Sequence, residues 1–284
     1  MPLMDLNTVL LPAYRGKYAV GAFNVINIEF LHAIFAAAEN KKAPVIINIA
    51  EVHLPFMDIE LICAAVRHAA LKSGINAVLN FDHGLSFESI AKTLPLGFTS
   101  VMIDGSLLSF DENIRVTGEI VKMCHAAGVS VEAELGAVGG SEDGSLESEA
   151  DPALYTDASL AGEFVKKTGI DALAVAIGNS HGRYKGAPVL DFKRLAEIKE
   201  AAGIPLVLHG GSGISEEGFR TAINNGISKI NFFTGMAQTA MNVLSEKFSM
   251  SSSGYNDFPA MMKEVSTRVQ KTVEEQIDIF LNRK

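Results

Sequence analysis

A chain of 284 residues, 48% hydrophobic and 20% charged, is long enough to bury a large core. Its formal net charge of −9, from 24 basic and 33 acidic residues, comes with no Lys/Arg cluster and no aromatic-basic interleaving, so a nucleic-acid partner is excluded. An anionic ligand then needs local capture by backbone N–H groups and one or two cations.

From the N-terminus, 4–15 reads as a capping helix below the first strand. Strands follow at 19–24, 44–50, 76–81, 99–103, 129–134, 171–177, 204–209 and 228–232. Helical stretches fall between them at 29–41, 58–73, 86–95, 112–127, 158–168, 191–202 and 215–225, and 257–283 reads as one long amphipathic helix suited to oligomer contacts. Asp111, Asp157 and Ser215 are the expected N-caps; Gly128, Gly169, Gly203 and Gly226 stand where a left-handed residue ends a helix. Eight strands with helical crossovers predict an α/β chain folded as a single-domain (β/α)8 TIM barrel over 1–284, with 257–283 a helical extension. The strands are apolar throughout, which predicts helices outside and packed apolar layers inside.

No apolar run reaches the ~18 residues of a membrane span. The N-terminus MPLMDLNTVL has no basic flank ahead of an apolar block, so no secretory signal is expected. Cys63 and Cys124 lie in helical stretches as small buried hydrophobes, and the cytoplasm is the expected compartment. The longest polar stretch, 139–152, predicts a mobile loop over the site; 249–257 reads as a connector.

Barrel active sites form at the C-terminal ends of the strands. Those ends deliver Asn24, Glu51 and His53, Asp82 and His83, Asp104, Glu134 and then Glu142 and Asp143, His181 and Gly182, His209 to Ser212, and Asn231 with Thr234. His32, His68 and His125 fall inside helices. A lone histidine at a strand end is most often a structural hydrogen-bonding residue, and His53 keeps that reading. His83, His181 and His209, from strands three, six and seven, converge on one rim and make a complete protein ligand set for a catalytic zinc. Asp82 is placed for proton transfer, or else caps the next helix. Glu134 is open between orienting a ligand, a second metal position and a buried ion pair. HGGSG (209–213), with a helix starting near Ser215, reads as an anion nest, and HGRYKG (181–186) adds Gly182 and Lys185. Together these predict a phosphorylated substrate whose oxygens reach a metal.

GAFNV (21–25), APVII (43–47), FDHG (81–84), SVMIDGS (100–106), VSVEAELGAVGGSEDG (129–144), DALAVAIGNSHGRYKG (171–186), IPLVLHGGSGIS (204–215) and SKIN (228–231) recur in one order. In them the chain resembles the class II, zinc-dependent ketose-bisphosphate aldolases, fructose- and tagatose-bisphosphate enzymes among them, over about residues 1–245. The resemblance implies reversible retro-aldol cleavage of a ketose 1,6-bisphosphate or ketose 1-phosphate to dihydroxyacetone phosphate and an aldehyde, through a zinc-stabilised enediolate. It implies zinc on His83, His181 and His209, and an alternative metal position near Glu134 and Asp104. It matches Glu142 to the carboxylate that deprotonates the ketose-derived fragment and Asp82 to the residue exchanging a proton with the aldehyde oxygen. Asn24, Gly182, Lys185, Gly210, Gly211, Ser212, Asn231 and Thr234 fall at substrate-binding positions around dihydroxyacetone phosphate. Carbonyls near Ser180, Gly182 and Gly210 match a monovalent cation site (Na+ or K+) of some relatives, and the implied assembly is a homodimer or homotetramer. The chain departs from the pattern at Glu51, where small polar residues are usual, at Phe233 and at Gly235, and the C-terminal region has no clear arginine for a distal phosphate. The aldehyde is therefore left open. The competing readings are another zinc-dependent lyase, isomerase or hydrolase on this site, which the retained Glu142 opposes, and a non-catalytic accessory subunit, which the intact histidine trio and Asp82 oppose.

Overall fold

The structure, a computed structural model, describes residues 2–140, 147–148, 150–250 and 257–283. Strands β1 (Val20–Asn24), β2 (Val45–Ala50), β3 (Ala77–Gly84), β4 (Ser100–Ile103), β5 (Ser130–Leu135), β7 (Ala172–Val175), β9 (Leu206–Leu208) and β10 (Ile227–Phe232) close one parallel barrel in the order β1-β10-β9-β7-β5-β4-β3-β2. Two-residue strands β6 (Glu147–Ser148) and β8 (Arg183–Tyr184) pair with each other outside it. The predicted (β/α)8 barrel is thus the observed fold. Among the described residues no helix is long and apolar enough to cross a membrane.

Helices α2 (Ile28–Lys41), α3 (Ile59–Lys72), α4 (Phe87–Thr93), α5 (Phe110–Ala126), α6 (Ala158–Thr168), α7 (Phe192–Ala202) and α8 (Glu216–Asn224) connect the barrel strands. Strand parity decides what they cover. Ile47 and Ile49, Leu79 and Phe81, Val131 and Ala133, and Leu173 and Val175 face outward into the main core with the helices. α1 (Leu6–Gly16), capped by Asp5, pushes Leu6, Val9, Leu10 and Ala13 against Val20, Ala22, Ile46, Val78, Met102, Ala172, Ala174 and Val207. It closes the N-terminal end of the barrel, as expected of 4–15.

Asp157 and Ser215 cap α6 and α8, and Gly169 and Gly203 end α6 and α7 in the left-handed conformation. At α5 the N-cap is Ser109, whose hydroxyl accepts from Glu112 N; the expected cap, Asp111, stands in the first turn, where its charge favours the helix N-terminus. α9 (Thr234–Met250) was not expected from the sequence, because its apolar spacing is irregular and its first turn has no Asp or Asn cap. α10 (Asp257–Phe280) is the predicted C-terminal helix, but its apolar stripe of Val265, Val269, Val273, Ile277 and Phe280 is buried within this chain against α2, α9, α8 and β1. The stripe is thus used within the chain, and the oligomer contacts expected of this helix would fall to its other face.

A correction concerns the barrel interior. Above the apolar layer, the inward positions are Asn48, Asn80 and Asp82, Glu132 and Glu134, His209, Lys229 and Asn231, all buried. The packed apolar interior stops halfway up, and the upper half is a polar layer below the C-terminal rim.

Candidate active site

β3 runs three residues further than its apolar run suggests and carries Asp82 and His83 within it. His83 sits at φ +50, a left-handed conformation uncommon outside glycine and found where the surroundings over-determine it. Its Nδ1 lies 2.9 Å from Asp104 Oδ2 at the end of β4, and its Nε2 lies 2.9 Å from His209 Nδ1 at the end of β9. The far nitrogen of His209, Nε2, is 2.8 Å from Glu132 Oε1 on β5. The His181 ring centroid is 5.0 Å from that of His83 and 5.8 Å from that of His209. One nitrogen from each of the three histidines lies within 4.8 Å of the other two. A second set, His83, Asp104 and Glu134, meets the same limit.

With Asp104 and Glu132 accepting the far N–H groups of His83 and His209, the facing nitrogens would be the ones free to bind a cation. Burial, then the neighbouring His83 and His209, hold His181 well below the ordinary histidine range; burial, then His83 and Lys229, do the same for His209. Burial pushes the Asp104 carboxyl up, but the His83 contact and hydrogen bonds from Ser106 outweigh it and hold the group well below the usual carboxylate range. Three convergent imidazoles are a donor set that fits a divalent cation.

The layer beneath is a connected polar network. Lys229 donates from Nζ to Glu132 Oε2 at 2.7 Å and stands 3.9 Å from Asp82 Oδ1, with both carboxylates and the lysine buried. Asp82 accepts from Asn231 Nδ2 (3.1 and 3.2 Å) and Asn48 Nδ2 (3.2 Å), with Asn80 Nδ2 at 3.4 Å. Sequence reasoning missed Glu132, Lys229, Asn48 and Asn80. The signal was a polar residue two positions before a named strand-end residue, hence on the same face: Asn80 before Asp82, Glu132 before Glu134, Lys229 before Asn231.

The hollow above is lined by Asn24, Ala50, Asp82, His83, His181, Gly182, Gly210, Gly211, Ser212, Asn231, Phe233 and Thr234. The structure thus gathers most of the sequence-predicted residues. Gly210, at φ +64, runs so close to the Ser180 carbonyl that a Cβ would fall 2.1 Å from its oxygen. Tyr184 clamps the same two loops: its Oη donates to the Gly210 carbonyl (2.8 Å) and accepts from Ser180 N (2.9 Å), and burial pushes the phenol up to about 12. The helix N-terminus at this hollow belongs to α9, beginning at Thr234, with Gly235 N donating to Ser212 Oγ at 3.0 Å. The start of α8, expected to serve here, lines a different hollow with Ser215, Glu217 and Gly218. Lys185 also stands elsewhere, in a hollow with Tyr155, Gly178 and Tyr184. Glu134 Oε1 accepts from Val138 N at 2.9 Å. Glu142 and Asp143 lie outside the described residues.

The chain shares 46% identity over 237 residues with the fructose-bisphosphate aldolase of Geobacillus stearothermophilus, covering 82% of each chain. It shares 44% over 238 residues with that of Staphylococcus aureus, again 82% of each. The crystal structure of the YdjI aldolase from Escherichia coli K12 superposes with a TM-score of 0.86 at 36% identity, covering 98% of this chain and 97% of that one. The family model for class II fructose-bisphosphate aldolase matches residues 4–284. By fold, by these relatives and by the extent of that match, the chain belongs to the class II fructose-bisphosphate aldolases, which are carbon–carbon lyases.

Proposed function

We propose that this chain reversibly cleaves a ketose 1-phosphate or ketose 1,6-bisphosphate to dihydroxyacetone phosphate and an aldehyde, with zinc held by His83, His181 and His209. The observation that carries the reading is the pair of imidazole nitrogens facing each other at 2.9 Å, each with its far nitrogen on a buried or half-buried carboxylate. With their far N–H groups on those carboxylates the facing nitrogens would offer lone pairs to a divalent cation, and the Asn231 amide stands 3.1 Å from the same His209 Nδ1. A divalent cation held by His83, His181 and His209 would supply Lewis-acid polarisation of the substrate ketone.

The chain's own groups supply the rest. Asp82, aimed by Asn48, Asn231 and Asn80, takes the proton of the C4 hydroxyl as the C3–C4 bond breaks. C4 becomes the aldehyde carbon, and the electron pair of the broken bond passes to C3 and into the C2 carbonyl. C3 then takes a proton, for which Glu142 is the proposed donor; in the reverse direction it is the base. The phosphate of the shared fragment lies against Gly182, Gly211, Ser212 and Thr234, where small residues let backbone N–H groups approach it at the start of α9. Gly210 sets the turn, Asn24 closes the far side and Asn231 orients Asp82. Lys185 reaches that phosphate only if its loop moves toward the hollow. Asp104 and Glu134 with His83 form an alternative metal position. The Gly210 carbonyl, already accepting from Tyr184, has one lone pair left for a monovalent cation with those of Ser180 and Gly182.

Metal-replete protein incubated with ketose 1-phosphates and fructose 1,6-bisphosphate should release dihydroxyacetone phosphate, lose that activity with a chelator and regain it with zinc. Activity indifferent to chelation, or a lysine adduct trapped by borohydride, would replace this mechanism.

A further inference from the structure

We propose that the aldehyde end of this site takes an uncharged acceptor, so that the substrate is a ketose 1-phosphate without a second phosphate; this rests on the aldolase reading above. The inward row of β10 is Lys229 and Asn231, and one step past the strand Phe233 continues it to the rim. The same row ends in Asn24 on β1, Ala50 on β2 and Asp82 on β3. These strands are neighbours in the order β10-β1-β2-β3, so Phe233, Asn24, Ala50 and Asp82 form one continuous arc of the wall. The adjoining arc, after β9 and β7, holds Gly210, Gly211, Ser212 and Gly182, and the start of α9 follows Phe233 directly between the two arcs. One arc therefore offers backbone N–H groups to an anion. The other offers an aromatic face, a methyl group, an amide and a carboxylate.

No lysine or arginine is among the described residues that line the hollow. Phe233 is backed by His53, buried at 5% exposure with ring centroids 4.7 Å apart; His53 does not itself line the hollow. Glu51 adds a negative charge on this side, outside the lining of the hollow. Glu51, at the end of β2, accepts from Leu85 N (2.8 Å) and Ser89 Oγ (2.9 Å), which pins its carboxylate to the loop that leaves β3 just after Asp82 and His83. A phosphate brought to this arc would lose water against an aromatic ring and meet the Asp82 carboxylate, with Glu51 behind the wall and no lysine or arginine among the described residues lining it. A neutral polyhydroxy aldehyde keeps hydrogen bonds to Asn24 and Asp82 and lays its carbon chain on Phe233.

The test joins dihydroxyacetone phosphate to two probe acceptors, glyceraldehyde and glyceraldehyde 3-phosphate, with the zinc-loaded protein. The expected result is a kcat/KM at least about tenfold higher for the uncharged aldehyde. Phe233→Asn and Glu51→Ser should each shrink that ratio about tenfold or more, and a ratio unmoved in both variants would remove this arc from acceptor choice. Solvent deuterium exchange into dihydroxyacetone phosphate alone needs no aldehyde. Exchange together with preference for the phosphorylated acceptor overturns this inference and leaves the aldolase reading intact; absence of exchange overturns the aldolase reading itself.

Discussion

His83 and His209 each stand against a carboxylate, and the one that an apolar-run reading passes over is Glu132. It is fully buried between His209 and Lys229, and such a pair is retained for orientation more than for stability, because desolvating two charges offsets most of their attraction. The same burial sets a pH dependence. His181 and His209 are neutral in the folded chain at a pH where, unfolded, they would begin to protonate, near the ordinary value of about 6.5. The unfolded state then binds more protons below about pH 6.5, so stability is complete above that pH and is lost as the pH falls through it. Metal-free protein melted in chelator at pH 7.5 and at about pH 5.5 should show the lower Tm in acid. Equal melting temperatures would mean that neither ring is held neutral by its burial.

Among the elements, the turns after the strands are more tightly specified than the strands. Gly210→Ala sets a Cβ against the Ser180 carbonyl at positive φ, whereas Gly186→Ala meets nothing within 4 Å. The first should cost about 1–3 kcal/mol and disturb the hollow; the second should be close to neutral. Thermal melts of the two variants check this, and equal melts would show that the β9 turn relaxes at no cost. α9 makes a similar point from the other side. Its N-terminus reaches the site beside Ser212, yet its sequence, TGMAQTAMNVLSEKF, has neither a strong cap nor a clean apolar stripe, so it was invisible until packed. α8 has the better sequence signature, but Glu216 and Glu217 in its first turn already occupy the positive end of that helix.

For the whole molecule, three strands far apart in sequence must hold three rings in register before a cation can bind, so binding should favour the folded state. Free zinc at about 100 times its dissociation constant adds about 2.7 kcal/mol to stability. Zinc should therefore raise Tm in the intact chain and have little effect in His209→Ala; a full shift in that variant would dismiss the trio as the site. The barrel, its eight strands, the capping helix below and His83, His181, His209 and Asp82 at one rim were all legible in the chain. Alternating apolar strands and helices admit few topologies, and a parallel barrel gathers its strand ends at one face. The polar upper interior was not legible, because Asn48, Asn80, Glu132 and Lys229 gain meaning only from the cross-strand register that sets Asn48 beside Asn80 and Ala50 beside Asp82.

Periodicity and motif order by themselves determined the architecture, the family and the three imidazoles at the rim, since these depend on neighbours along the chain. Only the closed sheet decided which carboxylate stands at which imidazole, that the helix start at the hollow is Thr234 rather than Ser215, and that Phe233 lines the hollow. Those outcomes depend on contacts between residues from about twenty to nearly two hundred positions apart, which strand parity and barrel register impose and local propensity does not encode.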